Sequence, residues 1–157
     1  MKEFNYDLDY KSLDFTNEET RELYRIGRGE QGVLLVRPYT DDICAHWRFK
    51  TPEIAVKSSN KIFAMYLDYR DEEDFIGMDM CRKFLEMGFT RARRYANHKD
   101  GKKYDSEGNV KPQELDALTS PKAKSAKIFK RARDHVAKDP VYVSMRKSWR
   151  ENEYILS

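Results

Sequence analysis

Over residues 51–98 and again from 121, apolar side chains recur every third or fourth position, whereas the first fifty residues mix short alternating runs with glycine turns. Phe4, Tyr6, Leu8, Tyr10, Leu13 and Phe15 stand among acids at near period-2 spacing, which predicts an extended N-terminal arm over 1–16 laid on a core. Thr16 or Asn17 then caps a short helix, with Glu18 and Glu19 in its first turn and Gly27 at its end. The Gly27–Gly32 loop leads into Val33 to Val36, the best strand signal in the chain, stopped by Pro38. His46 to Lys50 alternates bulky and basic residues and reads as a second strand that pairs with the first in a hairpin.

Thr51-Pro52-Glu53 is a helix start: a capping hydroxyl, proline at the first helical position and an acid in the first turn. That helix is expected to run to about Asp71, with Ala55, Ile62, Met65, Tyr66 and Tyr69 facing inward. After the acidic break at Asp71 to Asp74, Gly77, Cys81, Phe84, Leu85 and Gly88 form the stripe of a second helix; Gly88 is a candidate end, with Phe89 to His98 starting a new basic turn or two. Residues 99–120 show no periodicity and read as a long polar loop. Ser120-Pro121 opens a helix with Ser125, Ile128, Phe129, Ala132 and Val136 on its inner stripe; Asp139-Pro140 breaks it, and Val141 to Asn152 forms a last helix packing through Val143, Met145 and Trp149. The expected fold class is α+β and predominantly helical: about five helices with a small two-stranded β element, in one domain spanning 1–157.

Composition sharpens this picture through charge. Hydrophobic residues make up 39% of the 157 residues, enough for a core, and charged residues 36%, enough for a solvated exterior. No apolar run reaches the roughly 18 residues that span a bilayer, and the N-terminus lacks a signal pattern, so no membrane partner and a cytoplasmic location are expected. Cys44 and Cys81 lack C-x-x-C spacing, which fits a reducing compartment. The formal charge of +3 hides a segregation: residues 1–20 carry −4 and 68–79 carry −5, whereas 82–104 carry +6 and 122–150 carry +8. Neighbouring acids cannot neutralise the two basic stretches, so a polyanion partner is expected.

Several motifs compete for a role. Gly27-x-Gly29-x-x-Gly32 matches the dinucleotide pattern, but a helix precedes it and a strand follows, the reverse of that fold's order. YRIGRGEQGVLLV and Ile54-Ala55-Val56-Lys57 mimic kinase elements, yet no H-R-D or D-F-G segment follows and Pro52 predicts a helix around Lys57. The glycine loop remains a plain turn or, through its amides and Arg28, an anion nest. In Phe89 to Lys99, the side chains of Arg91, Arg93, Arg94, His98 and Lys99 can grip phosphates while Tyr95 stacks on a base; the other reading is a solvated face paired with Asp71 to Asp74. Lys127, Lys130 and Arg131 lie on the outer face of the helix after Pro121 and extend that surface, or serve solubility alone. Cys44 and His46 have no second pair at zinc spacing, Asp71 to Asp74 serve a helix start and Asp79 a pairing with Arg82 and Lys83 better than Mg²⁺, and no nucleophile elbow occurs, so no metal, cofactor or hydrolase triad is expected.

The runs YRIGRGEQGVLLVRPY, HWRFKTPEIA and GMDMCRKFLEMGFTRARRYANHKDGKKY together resemble a family of small uncharacterised cytoplasmic proteins of bacteria and phages. The resemblance implies a free-standing single domain and brings no assigned activity and no catalytic residues. The expected function is therefore polyanion binding, foremost nucleic acid, through a basic surface. Two alternatives stand beside it: a small enzyme that binds a phosphorylated metabolite or nucleotide at the glycine loop, and an interaction protein that docks an acidic partner.

Overall fold

The structure is a computed structural model that describes residues 3–155, with side chains through Glu153; the first two residues of the expected arm lie outside it. A 3-10 turn at Tyr10–Ser12 precedes six helices: α1 (Glu18–Arg21), α2 (Tyr39–Cys44), α3 (Pro52–Asp71), α4 (Phe75–Asn97), α5 (Pro121–Lys138) and α6 (Pro140–Ile155). None of these is long and apolar enough to cross a membrane.

The fold is organised around α4. Residues 75–81 are all buried, as are Lys83, Phe84, Leu85, Met87 and Gly88, so the first half of the helix is covered on every side rather than along one stripe. Gly77 against Tyr69 and Phe49 beside Tyr95 set α4 antiparallel to α3; Gly88 against Phe129 and Glu86 paired with Arg133 set it antiparallel to α5. Phe63 beside His135 and Arg70 bonded to Asp139 make α3 and α5 parallel. The caps follow the expected chemistry: Thr51 Oγ1 accepts the Ile54 amide and Ser120 Oγ the Ala123 amide, each with proline next in the chain. Helix α4 does not stop at Gly88, which keeps helical geometry and packs on Phe129, so Phe89 to Asn97 continue the same helix.

The expected β element is absent. Among the described residues no strand occurs, only an isolated bridge between Tyr104 and Val110 in the segment after α4, and the fold is all-α. Val33 and Val36 are both buried while Leu34 is exposed, a three-residue spacing that a strand would send to opposite faces and that a turn can bury together. The Val33 and Leu35 amides accordingly donate back to Glu30 and Gly32, and Thr40 Oγ1 bridges the Val36 amide and the Val33 carbonyl. Residues 46–50 have no strand to join, because Ser58 Oγ of α3 accepts the Arg48 amide and donates to the His46 carbonyl. The helix expected to end at Gly27 is only the single turn α1, and α2 lies where no helix was expected. In α6, Tyr142 rather than Val143 enters the core, and Val143 stays 50% exposed.

Tyr142 is drawn inward by a buried carboxylate. Asp79, fully enclosed, accepts from Tyr142 at 2.6 Å, from Arg82 Nε at 2.7 Å and from the Tyr24 hydroxyl, with Lys83 Nζ 4.0 Å away. Burial would raise the pKa of this carboxyl, but Arg82, Lys83 and the hydroxyl of Tyr142 hold it down at about 2. Burial in turn pushes Lys83 down, to about 7, while its Nζ donates to the Gln31 carbonyl at 2.7 Å and sits 4.8 Å from the rings of Phe4 and Tyr24.

Two predictions follow the packing of α4. Gly88→Ala places a methyl into the buried Phe129 ring; overpacking of about 1–3 kcal/mol outweighs the gain in helix propensity, so thermal unfolding followed by circular dichroism shifts downward. Asp79→Asn removes the anion that Arg82 bonds and that helps keep the buried Lys83 charged, and costs on the order of 3 kcal/mol at neutral pH. Because the folded-state pKa of Asp79 lies below its ordinary 3.8, its stabilisation is present above that pH and is lost as pH falls through about 2. Denaturant titrations between pH 5 and 2 therefore show a steeper loss in the wild type than in Asp79→Asn.

Candidate functional site

An open groove of about 1340 Å³ lies at the end of the fold where α3 and α5 begin and α4 finishes. Its floor comes from residues 44–50, which leave α2 through turns closed by the His46 and Trp47 amides on Ile43 and Cys44 and are then fastened to α3 by Ser58. One flank of α3 supplies Ile54, Lys57, Ser58 and Lys61, at the i, i+3, i+4, i+7 spacing that stacks side chains along a helix. The opposite wall is Tyr95 from the last turns of α4 and Lys122 from the first turn of α5.

Three aromatic rings run through it in sequence: Trp47 to Phe49 at 5.1 Å between centroids, then Phe49 to Tyr95 at 6.0 Å. Lys122 Nζ donates to the Lys50 carbonyl at 3.0 Å and lies 5.1 Å from the Phe49 ring and 5.7 Å from Tyr95. Burial, reinforced by the neighbouring charge of Lys50, lowers its pKa, so the ammonium is held where a nearby anion would relieve it. Around the rings stand Arg48, Lys50, Lys57, Lys61 and Lys122, and no carboxylate is among the lining residues. Among the described residues no ion pair joins any of these five cations to an acid. The indole N–H of Trp47 is buried without an acceptor, an arrangement that costs roughly 1–3 kcal/mol unless a ligand or water supplies one.

Of the residues expected to bind an anion, Tyr95 alone lines this groove, together with Cys44, His46 and Lys57, which the sequence offered for metal or kinase-like chemistry. Arg91 and Arg94 are exposed on α4, while Arg93 turns back to donate to the Ala117 carbonyl at 2.6 Å and anchors the segment before α5. His98 is buried as the C-terminal cap of α4, with Nδ1 unpartnered, and borders a smaller cavity of about 380 Å³ with Lys99, Asp100, Lys111 and Glu114. Lys127, Lys130 and Arg131 line a separate depression on the outer side of α5, shared with two acids: Asp134, paired with Lys130 and Arg133, and Asp139, paired with Arg70. Arg28 meets Glu3 at 3.3 Å in solvent.

The carbonyls of the glycine loop are engaged within the fold. Gln31 Oε1 accepts the Arg28 amide, Arg82 reaches the Gly29 carbonyl, Lys83 the Gln31 carbonyl and Arg150 the Gly27 carbonyl, and a Cβ at Gly32 would overlap the Phe4 ring. It joins the N-terminal segment to α4 and α6. Among the described residues no group of three or more His, Cys, Asp or Glu side chains is placed to hold a metal ion.

A family model described as a domain of unknown function, DUF4385, matches residues 5–152. The chain belongs to the DUF4385 family. No curated protein and no solved structure matches it. Every lining residue of the groove falls inside the DUF4385 match, so the site is part of the domain itself.

Sequence reading passed over Arg48, Lys50, Lys57, Lys61 and Trp47 as site residues, although two signals were present. The bulky-basic alternation of residues 46–50 was one, and the Lys57/Lys61 pair at i, i+4 on the flank beside Ile54 was the other. Ser58→Ala, which leaves the Arg48 amide and the His46 carbonyl without their shared partner, is predicted to cost about 1–2 kcal/mol and to change the near-ultraviolet circular dichroism of Trp47.

Proposed function

We propose that this protein binds nucleic acid through the groove formed by residues 44–50, the flank of α3, Tyr95 and Lys122. The observation that carries the proposal is that five cations and three aromatic rings line one groove with no carboxylate among them. Three other cavities lined by several cations include acids: Asp134 and Asp139 beside Lys127, Lys130 and Arg131, Asp100 and Glu114 beside Lys99 and Lys111, and Glu86 and Asp134 beside Arg82, Arg133 and Arg146. Cations without acids leave a local positive potential, the electrostatic footprint of a phosphate backbone partner.

Size favours an extended ligand. The groove's volume of about 1340 Å³ exceeds the roughly 300–1,000 Å³ of a pocket that encloses one small molecule.

Affinity for a labelled oligonucleotide, measured by anisotropy, should fall steeply with salt: five engaged cations give a log–log slope of about −3.5 on a single strand and about −4.5 on a duplex. Lys57→Glu combined with Lys61→Glu should weaken binding at least tenfold, by about 1.4 kcal/mol or more. The same charge reversal at Lys127 and Lys130 should have a smaller effect. Absence of binding at low ionic strength would refute the proposal, and displacement by polyglutamate as effective as by nucleic acid would assign the groove to an acidic protein instead.

A further inference from the structure

We infer that the nucleic acid taken by this groove is single-stranded, with an unpaired base packed against the exposed ring of Tyr95 and its phosphate held by Lys122. The inference rests on the reading of the groove as a nucleic-acid site and adds to it the form of the strand and the residue that selects it.

A duplex presents phosphates and sugars and keeps its base faces stacked inside, so its grip needs cations and gains little from exposed rings. This groove offers both. Tyr95 is 38% exposed although its ring lies beside Phe49. It is braced from behind by backbone: Gly101, at φ +74°, comes so close that a Cβ there would lie 2.7 Å from the ring, which leaves Tyr95 fixed in place without a covering side chain. A pre-positioned, partly open aromatic ring is the element on which single-strand binders stack bases.

One further feature fits an unpaired base. Lys122 Nζ sits 5.7 Å from the Tyr95 ring and 5.1 Å from Phe49, close enough that a base on Tyr95 brings its own phosphate to the ammonium. An ammonium whose charged form is disfavoured by burial and by Lys50 gains from such a phosphate.

The test compares three fluorescent ligands of equal length on the full chain at low salt: oligothymidylate, an abasic strand with the same phosphates, and a duplex. Oligothymidylate should bind about 5- to 100-fold more tightly than the abasic strand, the range expected from stacking one base on an aromatic ring. Tyr95→Ala, with its fold checked by circular dichroism, should bring oligothymidylate down to the abasic level while leaving the salt slope unchanged, and Tyr95→Phe should restore the preference. Equal binding of the base-bearing and abasic strands, a Tyr95→Ala protein that keeps the preference, or tighter binding of the duplex would each overturn the inference while leaving salt-dependent nucleic-acid binding in place. If none of the three ligands binds, the proposed function fails and the inference with it.

Discussion

Asp79 is a carboxylate with no access to water, placed where α4, α6 and the chain between α1 and α2 converge, and the arrangement of those elements is a solution to its charge. An enclosed anion is tolerable only when cations and donors surround it. Arg82 and Lys83 lie one turn further along the same helix, Tyr142 brings in α6, and Tyr24 brings in the chain after α1. The cations so recruited then have donors to spare, which they extend to the carbonyls of Gly29 and Gln31. The glycine loop is thereby consumed as a structural joint, with Phe4 packed on Gly32 and Arg150 of α6 on the Gly27 carbonyl.

This arrangement decides where charge is available. At the end of the molecule where α4 begins, arginines and carboxylates neutralise one another: Arg21 with Asp74, Arg70 with Asp139, Arg82 with Asp79. At the opposite end, where α3 and α5 start, Arg48, Lys50, Lys57, Lys61 and Lys122 gather around aromatic rings without an acid among them. The segregation of charge along the chain and the segregation in space are therefore different. Four of the groove's five cations, Arg48, Lys50, Lys57 and Lys61, lie in the part of the chain where no basic excess stands out, and the strongly basic residues 122–150 contribute only Lys122. A surface is assembled from whichever helix ends the packing brings together, so a count along the sequence locates the surplus poorly.

Helix positions and inward faces were legible because they follow from local rules. Thr51-Pro52 and Ser120-Pro121 cap their helices whatever surrounds them, and Ile62, Phe84 and Phe129 stand at spacings that only a helix can turn to one side. Two local signals were outweighed by tertiary contacts. Val33 to Val36 has strand-forming residues but no strand partner, since Ser58 holds the backbone of residues 46–48, and the chain resolves the conflict by burying Val33 and Val36 through turns. Gly88 has the identity of a helix end but serves as a seat for Phe129, and the helix runs on.

Residue identity and periodicity alone determined that this protein is predominantly helical, where its long helices start, which faces α3 and α5 bury, and that Tyr95 is an aromatic among cations. Only the tertiary structure decided that Asp79 is buried, that the glycine loop is a joint, and that Tyr95 meets Lys122 and the residues after α2. The physical reason is range: capping and amphipathic spacing act within a few residues, whereas electrostatic neutralisation and groove formation depend on which distant side chains the packed helices bring face to face.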